Sequence, residues 1–147
     1  MRESNRIGPE EELFLELGRA SQLARKFADE ALSSFDVTPA EYNLLRIVER
    51  HKGVTASEAQ ERLMVAAPSI TQLVRSLEQK KFLRRERSVS DARVQHLYLA
   101  GEGKNLLSRA RAEIRKRSAA LLPEEPALRS MIHQLHSLIG SLSSSPH

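Results

Sequence analysis

Basic side chains are concentrated in one part of the sequence. Between Arg62 and Arg93 there are eight basic and three acidic residues, a net charge of +5, although the whole chain carries only +4. The basic residues of this segment are Arg62, Arg75, Lys80, Lys81, Arg84, Arg85, Arg87 and Arg93. Positive charge confined to about a fifth of a chain is typical of a surface that docks on a phosphate backbone. An ordinary solvated surface is the alternative.

Other kinds of chemistry find little support in the residue types. The 147 residues include no cysteine, which excludes disulfides, thiolate metal sites and cysteine nucleophiles from this chain. No glycine-rich phosphate loop, Gly-x-Ser-x-Gly elbow or His-Glu-x-x-His helix occurs, so the sequence predicts no enzyme and no cofactor. His133 and His136 are spaced to face the same way on a helix, but two histidines do not make a metal site.

The polar residues that could read DNA follow two capped helix starts. The segments 38–41 (Thr-Pro-Ala-Glu) and 55–58 (Thr-Ala-Ser-Glu) are capping boxes, so a short helix is predicted to begin at each, the second with Ala59 and Leu63 inward. A further helix is predicted with Pro68 in its first turn and its end near Lys80. Its apolar residues are Ile70, Leu73, Val74 and Leu77, and its polar face holds Ser69, Thr71, Gln72, Arg75 and Ser76.

Beyond this helix the pattern changes to the period of two that marks a β-strand. Residues 82–84 lead into a charged turn at 86–93, and a short strand is predicted at 94–99. Helix, turn, helix and a hairpin with a basic tip form a winged helix-turn-helix. In that arrangement the second helix enters the major groove of DNA and the hairpin reaches the flank.

A long helix is predicted on the N-terminal side of this lobe, opening at Pro9 and carrying an apolar stripe with heptad-like spacing. The stripe consists of Leu13, Leu17, Ala20, Ala24, Phe27 and Ala31. One helix cannot bury so broad an apolar face alone. The face could pack on the core of its own chain or partly on another subunit, and the residues leave both open.

Two more helices are predicted on the C-terminal side. Gly101 and Gly103 bracket a break, after which residues 105–121 are predicted to be helical. Prolines then separate a last amphipathic helix, which precedes a Ser-rich, disordered-looking end from Ser141. The apolar residues of the last helix are Leu128, Met131, Ile132, Leu135, Leu138 and Ile139.

Residues 63–103 resemble, without a gap, the DNA-binding segment of the MarR (multiple antibiotic resistance regulator) family, and the helix order on both sides is similar as well. The most specific part is the wing at 84–93, which carries the family's Asp-x-Arg signature in Asp91 and Arg93. The resemblance implies a homodimer joined by the first and last helices, with Arg93 in the minor groove and Asp91 bracing the wing. It also implies an effector, commonly an aromatic acid or another anionic amphiphile, between the dimer helices and the DNA-binding lobe.

Three positions depart from the family pattern. Ala100 stands where a threonine usually caps the next helix, so that cap is lost or moved. Lys81 replaces the glycine common after the recognition helix, and it is strained if the backbone there needs a positive φ. Arg75 stands where an acidic residue is often found, which adds positive charge toward DNA.

The sequence therefore predicts a mainly α (α+β) winged helix-turn-helix fold in a single domain over 1–147. Dimerisation helices are expected over 9–35 and 102–141, and the DNA-binding lobe over 37–100. The expected DNA-binding residues are Thr55, Ser57, Ser69, Thr71, Gln72, Arg75, Arg84, Arg87, Asp91 and Arg93. The expected dimerisation residues are Leu13, Leu17, Leu128, Ile132, Leu135 and Leu138.

The predicted function is a sequence-specific transcriptional regulator, acting as a repressor and a homodimer on a pseudo-palindromic operator and released by a small-molecule effector. Its expected partners are double-stranded DNA, a second copy of the chain and that effector. No apolar run approaches the length that spans a bilayer, so a soluble, cytoplasmic protein without a membrane partner is expected. The alternatives are a winged-helix adaptor without specific DNA binding and a metal-responsive regulator of the same fold.

Overall fold

The computed structural model describes residues 7–63 and 69–144. Along the chain these residues form helices α1 (Pro9–Leu32) and α2 (Pro39–Arg50), strand β1 (Val54–Thr55), helices α3 (Ala56–Leu63) and α4 (Ile70–Gln79), strands β2 (Leu83–Arg87) and β3 (Gln95–Leu99), and helices α5 (Gly101–Ser118) and α6 (Glu125–Ser143). The prediction of a mainly helical winged helix-turn-helix fold is confirmed, with α3 and α4 as the helix pair and the β2–β3 hairpin as the wing. The prediction for Pro68 lies outside the described residues.

The chain divides into two compact units, residues Met1–Ile114 and Arg115–His147. The first unit contains the hydrophobic core, which the end of α1, helices α2, α3 and α4, the sheet and α5 as far as Ala110 build together. Its fully buried large side chains are Leu32, Leu44, Leu45, Leu77, Leu97, Leu107 and Val48. The predicted inward residues of α3 and α4 are largely confirmed: Ala59, Leu63, Leu73, Val74 and Leu77 are buried, and Ile70 is half-buried and packs against the core. Within the described ranges, no helix is long and apolar enough to cross a bilayer.

The sheet has three antiparallel strands in the order β1-β3-β2. Arg84 of β2 lies opposite Tyr98 of β3, and Val54 of β1 lies opposite Leu97. The short β1 was not predicted, because two residues are too few to show a period in the sequence. Its pairing with β3 attaches the wing to the start of α3.

Both predicted capping boxes are present. At α2 the Glu41 amide donates to Thr38 Oγ1 at 3.2 Å, and the Thr38 amide donates to Glu41 Oε2 at 2.8 Å. At α3 the Glu58 amide donates to Thr55 Oγ1 at 3.3 Å, and the Thr55 amide donates to Glu58 Oε2 at 2.8 Å. Each box satisfies amide groups that the first turn of a helix leaves without partners.

Two predictions about the C-terminal helices were wrong. The predicted break at Gly101 and Gly103 is the first turn of α5, which runs over Gly101–Ser118 and not over 105–121. Gly103 is there because α5 crosses the backbone at Phe82 too closely for any side chain. The Ser-rich segment is helical as far as Ser143, and within it Ser141 Oγ donates to the carbonyl of Ser137.

Lys81 has a φ of 60°, so the strain foreseen from the sequence is present. The Phe82 amide donates to the Leu77 carbonyl at 2.9 Å, and the Lys81 amide donates to the Glu78 carbonyl at 2.9 Å. These two bonds form a Schellman motif with lysine at the left-handed position that usually belongs to glycine.

Replacing Lys81 with glycine is therefore expected to stabilise the chain by about 0.5–1 kcal/mol. The left-handed conformation costs a residue with a side chain roughly 1–2 kcal/mol. Glycine removes this cost but also increases the conformational entropy of the unfolded chain, which offsets part of the gain in stability. Urea unfolding followed by circular dichroism measures the change. Lys81→Ala is the control, because it removes the same charge and keeps the strain. Equal stability of the two variants would show that strain at Lys81 is not what limits the wild type.

Candidate nucleic-acid interface

Helix α4 presents a polar face opposite the apolar face that packs in the core. Ser69, Thr71, Gln72 and Arg75 are exposed, as predicted for the residues that meet bases. Ser76 was also assigned to the polar face, but the structure turns its hydroxyl inward. Three hydrogen-bonding side chains and one guanidinium group therefore line the outer side of the helix from its first residues onward.

A buried carboxylate fixes α4 against α2. Glu41, which is 3% exposed, accepts a hydrogen bond from Ser76 Oγ at 2.5 Å and two from Lys80 Nζ at 3.0 and 3.1 Å. Burial alone would raise the pKa of Glu41. The hydrogen bonds from Ser76, the Thr38 amide and Lys80, with the charge of Lys80, outweigh burial and lower the pKa below its ordinary 4.5.

Sequence reasoning identified Glu41 as a helix cap and missed its contacts with α4. The available signal was the pair Ser76 and Lys80, a hydroxyl and a cation spaced i, i+4 on the inner edge of a helix. Lys80 also lies 3.6 Å from Asp36 Oδ1. The N-terminal cap of α2 is thus part of the support of α4.

The start of α3 supplies two of the predicted DNA-binding residues in different settings. Ser57 is exposed. The Thr55 hydroxyl donates to Glu58 Oε2 at 3.0 Å and accepts from the Glu58 amide, so it is occupied by the capping box. The pKa of Glu58 is lowered by the hydrogen bonds from the amide and hydroxyl of Thr55.

The tip of the wing is an ordered turn between β2 and β3. Asp91 Oδ1 accepts a hydrogen bond from the Arg93 amide at 2.9 Å, and the Asp91 carbonyl accepts one from the Val94 amide at 3.0 Å. The Ser88 amide donates to the Val94 carbonyl at 2.9 Å and closes the turn. Arg93 is exposed, so Asp91 orders the backbone from which the Arg93 side chain extends.

The wing is tied to the end of α4 by Arg85. Its Nε donates to Glu78 Oε1 at 2.8 Å, its Nη2 pairs with the other oxygen of that carboxylate, and its Nη1 donates to Gln95 Oε1 at 3.3 Å. A bidentate pair of this kind fixes direction as well as distance. The helix and the hairpin are therefore linked by side chains outside the core.

Two arginines of β2 that were both predicted to bind DNA lie on opposite faces of the strand. Successive side chains of a strand alternate, so Arg87 shares the face of Arg85, the face that contacts α4. Arg84 points to the other face, where its guanidinium carbon lies 5.0 Å from the centre of the Tyr98 ring and its Nη1 pairs with Glu86. The structure thus groups Arg87 with the exposed face of α4 and separates Arg84 from it.

The predicted dimerisation residues lie on α1 and α6, which each carry exposed apolar side chains. Leu13 of α1 is 45% exposed, and Ile132 and Leu135 of α6 are each 44% exposed. Leu17, Leu128 and Leu138 are half-buried. Other exposed apolar residues of the same two helices are Phe14, Leu15, Leu23, Met131, Ile139 and Leu142.

His133 and His136 are exposed on α6. Across residues 7–63 and 69–144, no group of three or more histidine, aspartate and glutamate side chains is placed to bind a metal ion. The two histidines therefore have no third ligand within the part of the chain that the structure describes.

Comparison with known proteins gives consistent matches. A family model described as the MarR family matches residues 35–94. Among curated proteins, the HTH-type transcriptional repressor MdtR of Bacillus subtilis is 34% identical over 84 residues, a match that covers 55% of this chain and 54% of that protein. The chain thus spans about half the length of this curated relative.

Solved structures with the same fold include AbfR and the transcriptional regulator PcaV. AbfR of Staphylococcus epidermidis gives a TM-score of 0.76 at 19% identity, covering 91% of this chain and 92% of that chain. The structure of reduced AbfR bound to DNA gives 0.69 at 21% identity, covering 90% and 93%. PcaV of Streptomyces coelicolor, in complex with its natural ligand, gives 0.74 at 18% identity, covering 96% and 100%.

Proposed function

We propose that the chain is a transcription regulator of the MarR family, the family whose model matches residues 35–94 and to which the similarity with the repressor MdtR also points. We further propose that it binds double-stranded DNA as a homodimer and represses transcription from a pseudo-palindromic operator. In this proposal α4 enters the major groove and the wing places Arg93 in the minor groove. The two α4 helices of the dimer meet half-sites about one helical turn apart. A small-molecule effector releases the protein from DNA.

The observation that carries the proposal is the joined surface of α4 and the wing. The exposed polar face of α4 and the exposed Arg87 lie on the side where Arg85 links the hairpin to Glu78. Both elements that reach the two grooves are thus fixed to each other before DNA arrives. The comparisons support the same function, because MdtR is a repressor, AbfR has been solved on DNA and PcaV with a ligand.

The proposed contacts differ in the part of the DNA that each of them recognises. Gln72 and Arg75 on α4 read base edges, where a good bidentate contact contributes roughly 1–3 kcal/mol of discrimination. Arg93 enters the minor groove, whose narrow regions attract arginine through their negative potential. Ser69 and Thr71 lie beside Gln72 at the start of α4, and Asp91 orders the turn from which Arg93 extends. The remaining contacts position the protein on the DNA backbone: Thr55, Ser57, Arg84 and Arg87. Arg84 is expected to contribute less than Arg87, because its guanidinium is engaged with Tyr98 and Glu86.

Arg93→Ala is expected to lower affinity by a similar factor for every duplex tested, whereas Gln72→Ala and Arg75→Ala are expected to flatten the preference at particular, two-fold related base pairs. Fluorescence polarisation with a panel of mutated operators, taken from DNA flanking the chain's own gene, measures both effects. Salt must be fixed, because each phosphate contact makes affinity fall steeply with ionic strength. Arg25→Ala, on α1, is the control with the same change of charge.

Two results would contradict this assignment. One is unchanged base preference in Gln72→Ala and Arg75→Ala together with unchanged affinity in Arg93→Ala. The other is a folded dimer that shifts no duplex of any sequence, which would favour the protein-adaptor function.

The homodimer is proposed to form through the exposed apolar residues of α1 and α6. Introducing two charges with Ile132→Glu and Leu135→Glu is expected to convert the dimer to a monomer, because a buried unpaired carboxylate costs several kcal/mol. Light scattering coupled to gel filtration then gives once, not twice, the 16.6 kDa mass of the chain. Ser130→Glu with Ser137→Glu, on the polar side of α6, is the matched control. A wild type that is already monomeric at micromolar concentration would rule out this interface.

A further inference from the structure

A cleft of about 300 Å³ opens at the back of the wing, on the face of β2 opposite the one that Arg85 ties to α4. The end of α2, the segment that follows it, the sheet and the first turn of α5 form its walls. The residues that line it are Val48, Glu49, Lys52, Arg84, Tyr98, Leu99 and Lys104. Its volume lies at the lower end of the range for small-molecule sites.

Positive charge dominates this cleft. Lys52, Arg84 and Lys104 face a single carboxylate, that of Glu49. Glu49 is already engaged by Arg111, whose Nη1 donates to Oε1 at 3.1 Å and whose Nη2 pairs with the other oxygen. Among the residues that the structure describes, neither lysine has a carboxylate within ion-pair distance. Two ammonium groups are therefore available to an anion from solution.

The rest of the cleft is apolar. Val48 belongs to the core, and Leu99 packs against it. The ring of Tyr98 forms part of the wall, with the guanidinium of Arg84 stacked 5.0 Å from its centre. Ammonium groups beside an apolar wall suit a ligand with an anionic head and a small apolar body.

We propose that this cleft binds a small organic anion, with its charged head between Lys52 and Lys104 and its apolar body against Tyr98, Val48 and Leu99. Arg84 and Tyr98 face each other across the β2–β3 ladder, which carries the turn with Arg93. A ligand on Tyr98 therefore competes with Arg84 for the ring and shifts the base of the wing. This regulatory step rests on the proposed function, and it places the effector on the DNA-binding lobe itself.

Binding is tested first without DNA, on the full chain, with 4-(trifluoromethyl)benzoate as the probe and ¹⁹F NMR and calorimetry as readouts. The expected result is saturable binding that weakens about tenfold or more in Lys52→Gln/Lys104→Gln, because both ion pairs are lost. Lys26→Gln/Lys116→Gln removes the same charge elsewhere and is expected to bind like the wild type. The neutral 4-(trifluoromethyl)benzyl alcohol is expected to bind at least about tenfold more weakly than the benzoate.

Tyr98 provides an independent readout of where the probe lies. The chain contains two tyrosines and no tryptophan, so Tyr42→Phe leaves Tyr98 as its single tyrosine fluorophore. The benzoate is expected to change this emission with the same saturation curve as the NMR signal. No saturable binding, equal binding of the alcohol, or undiminished binding in Lys52→Gln/Lys104→Gln would overturn the site.

Regulation is tested separately by adding the benzoate to the DNA complex. The expected result is weaker DNA affinity in the wild type and no effect in Lys52→Gln/Lys104→Gln. If the probe binds and DNA affinity stays constant, the coupling to the wing is wrong while the site stands. If the probe binds and the chain binds no DNA, the proposed function fails and the site is unaffected. A further result would be that the benzoate binds to no form of the protein and that Lys52→Gln/Lys104→Gln binds DNA more weakly than the wild type. The two lysines would then contact the phosphates of DNA, and the proposed site would be wrong.

Discussion

Replacing Gly103 with alanine is expected to destabilise the chain by about 3 kcal/mol or more, a large part of the stability of a small domain. A Cβ at this position would collide with the backbone carbonyl oxygen of Phe82 and lie 2.9 Å from its carbonyl carbon. Neither atom can move aside as a flexible side chain would. The same carbonyl accepts a hydrogen bond from the Ala100 amide at 3.1 Å, so a shift of α5 breaks that bond too.

Thermal unfolding followed by circular dichroism measures the effect, with an expected fall of roughly 10 °C in Tm. Gly101→Ala is the matched control, because it lies in the same first turn and an added Cβ meets no atom within 4 Å. It is expected to be neutral or stabilising by up to about 1 kcal/mol, since alanine has the higher helix propensity. If the two variants melt at the same temperature, the close approach of α5 to Phe82 does not exist in solution.

These two glycines show where sequence reasoning succeeds and where it stops. Gly101 and Gly103 were interpreted together as a helix break, because glycine lowers helix propensity wherever it occurs. The reason for Gly103 is a contact with residue 82, which no local pattern reveals. The capping boxes at Thr38 and Thr55 were predicted correctly because all their atoms lie within four residues of each other.

The candidate interface shows the same contrast between local features, which the sequence predicts, and long-range contacts, which it does not. The polar face of α4 follows from the helical period, so the sequence predicted that Gln72 is exposed. The role of Asp91 beside Arg93 was implied by the family resemblance, and the structure shows the corresponding hydrogen bond between neighbouring residues. The separation of Arg84 from Arg87 depends on β2 extending as far as Arg87, whereas the sequence predicted a charged turn from residue 86 onward. The contact of Arg84 with the ring of Tyr98 also depends on the register of β2 against β3. This register is a property of the paired strands and cannot be read from either strand alone.

The largest effect at a single side chain is expected at Glu41, where helix capping and the support of α4 meet. Glu41→Gln keeps the shape of the side chain and removes its charge, so that Asp36 is the remaining ion-pair partner of Lys80 among the described residues. Hydrogen bonds to a charged group contribute more than neutral ones, and breaking a buried pair is costly. We expect a loss of about 2–3 kcal/mol in the free energy of unfolding. We also expect weaker DNA binding, because Ser76 and Lys80 lie on α4.

The second capping box provides the control. Glu58 has the same position relative to Thr55 that Glu41 has relative to Thr38, but it is exposed, and the described hydrogen bonds of its carboxylate all come from Thr55 in its own cap. Glu58→Gln is therefore expected to lower stability much less and to leave DNA affinity close to that of the wild type. Equal losses in the two variants would show that Glu41 acts as a cap alone.

The dependence on pH separates the charge of Glu41 from its shape. The pKa of Glu41 is lower in the folded chain than its ordinary 4.5, so its contribution is fully present above 4.5 and is lost as pH falls through the folded value. Protonated Glu41 resembles glutamine, since both are neutral. The difference in unfolding free energy between wild type and Glu41→Gln is therefore expected to be constant from pH 7 to about 5 and to shrink at lower pH. Urea unfolding at a series of pH values measures it, and a difference that persists unchanged below the folded pKa would mean that the ionised carboxylate is not what supports α4.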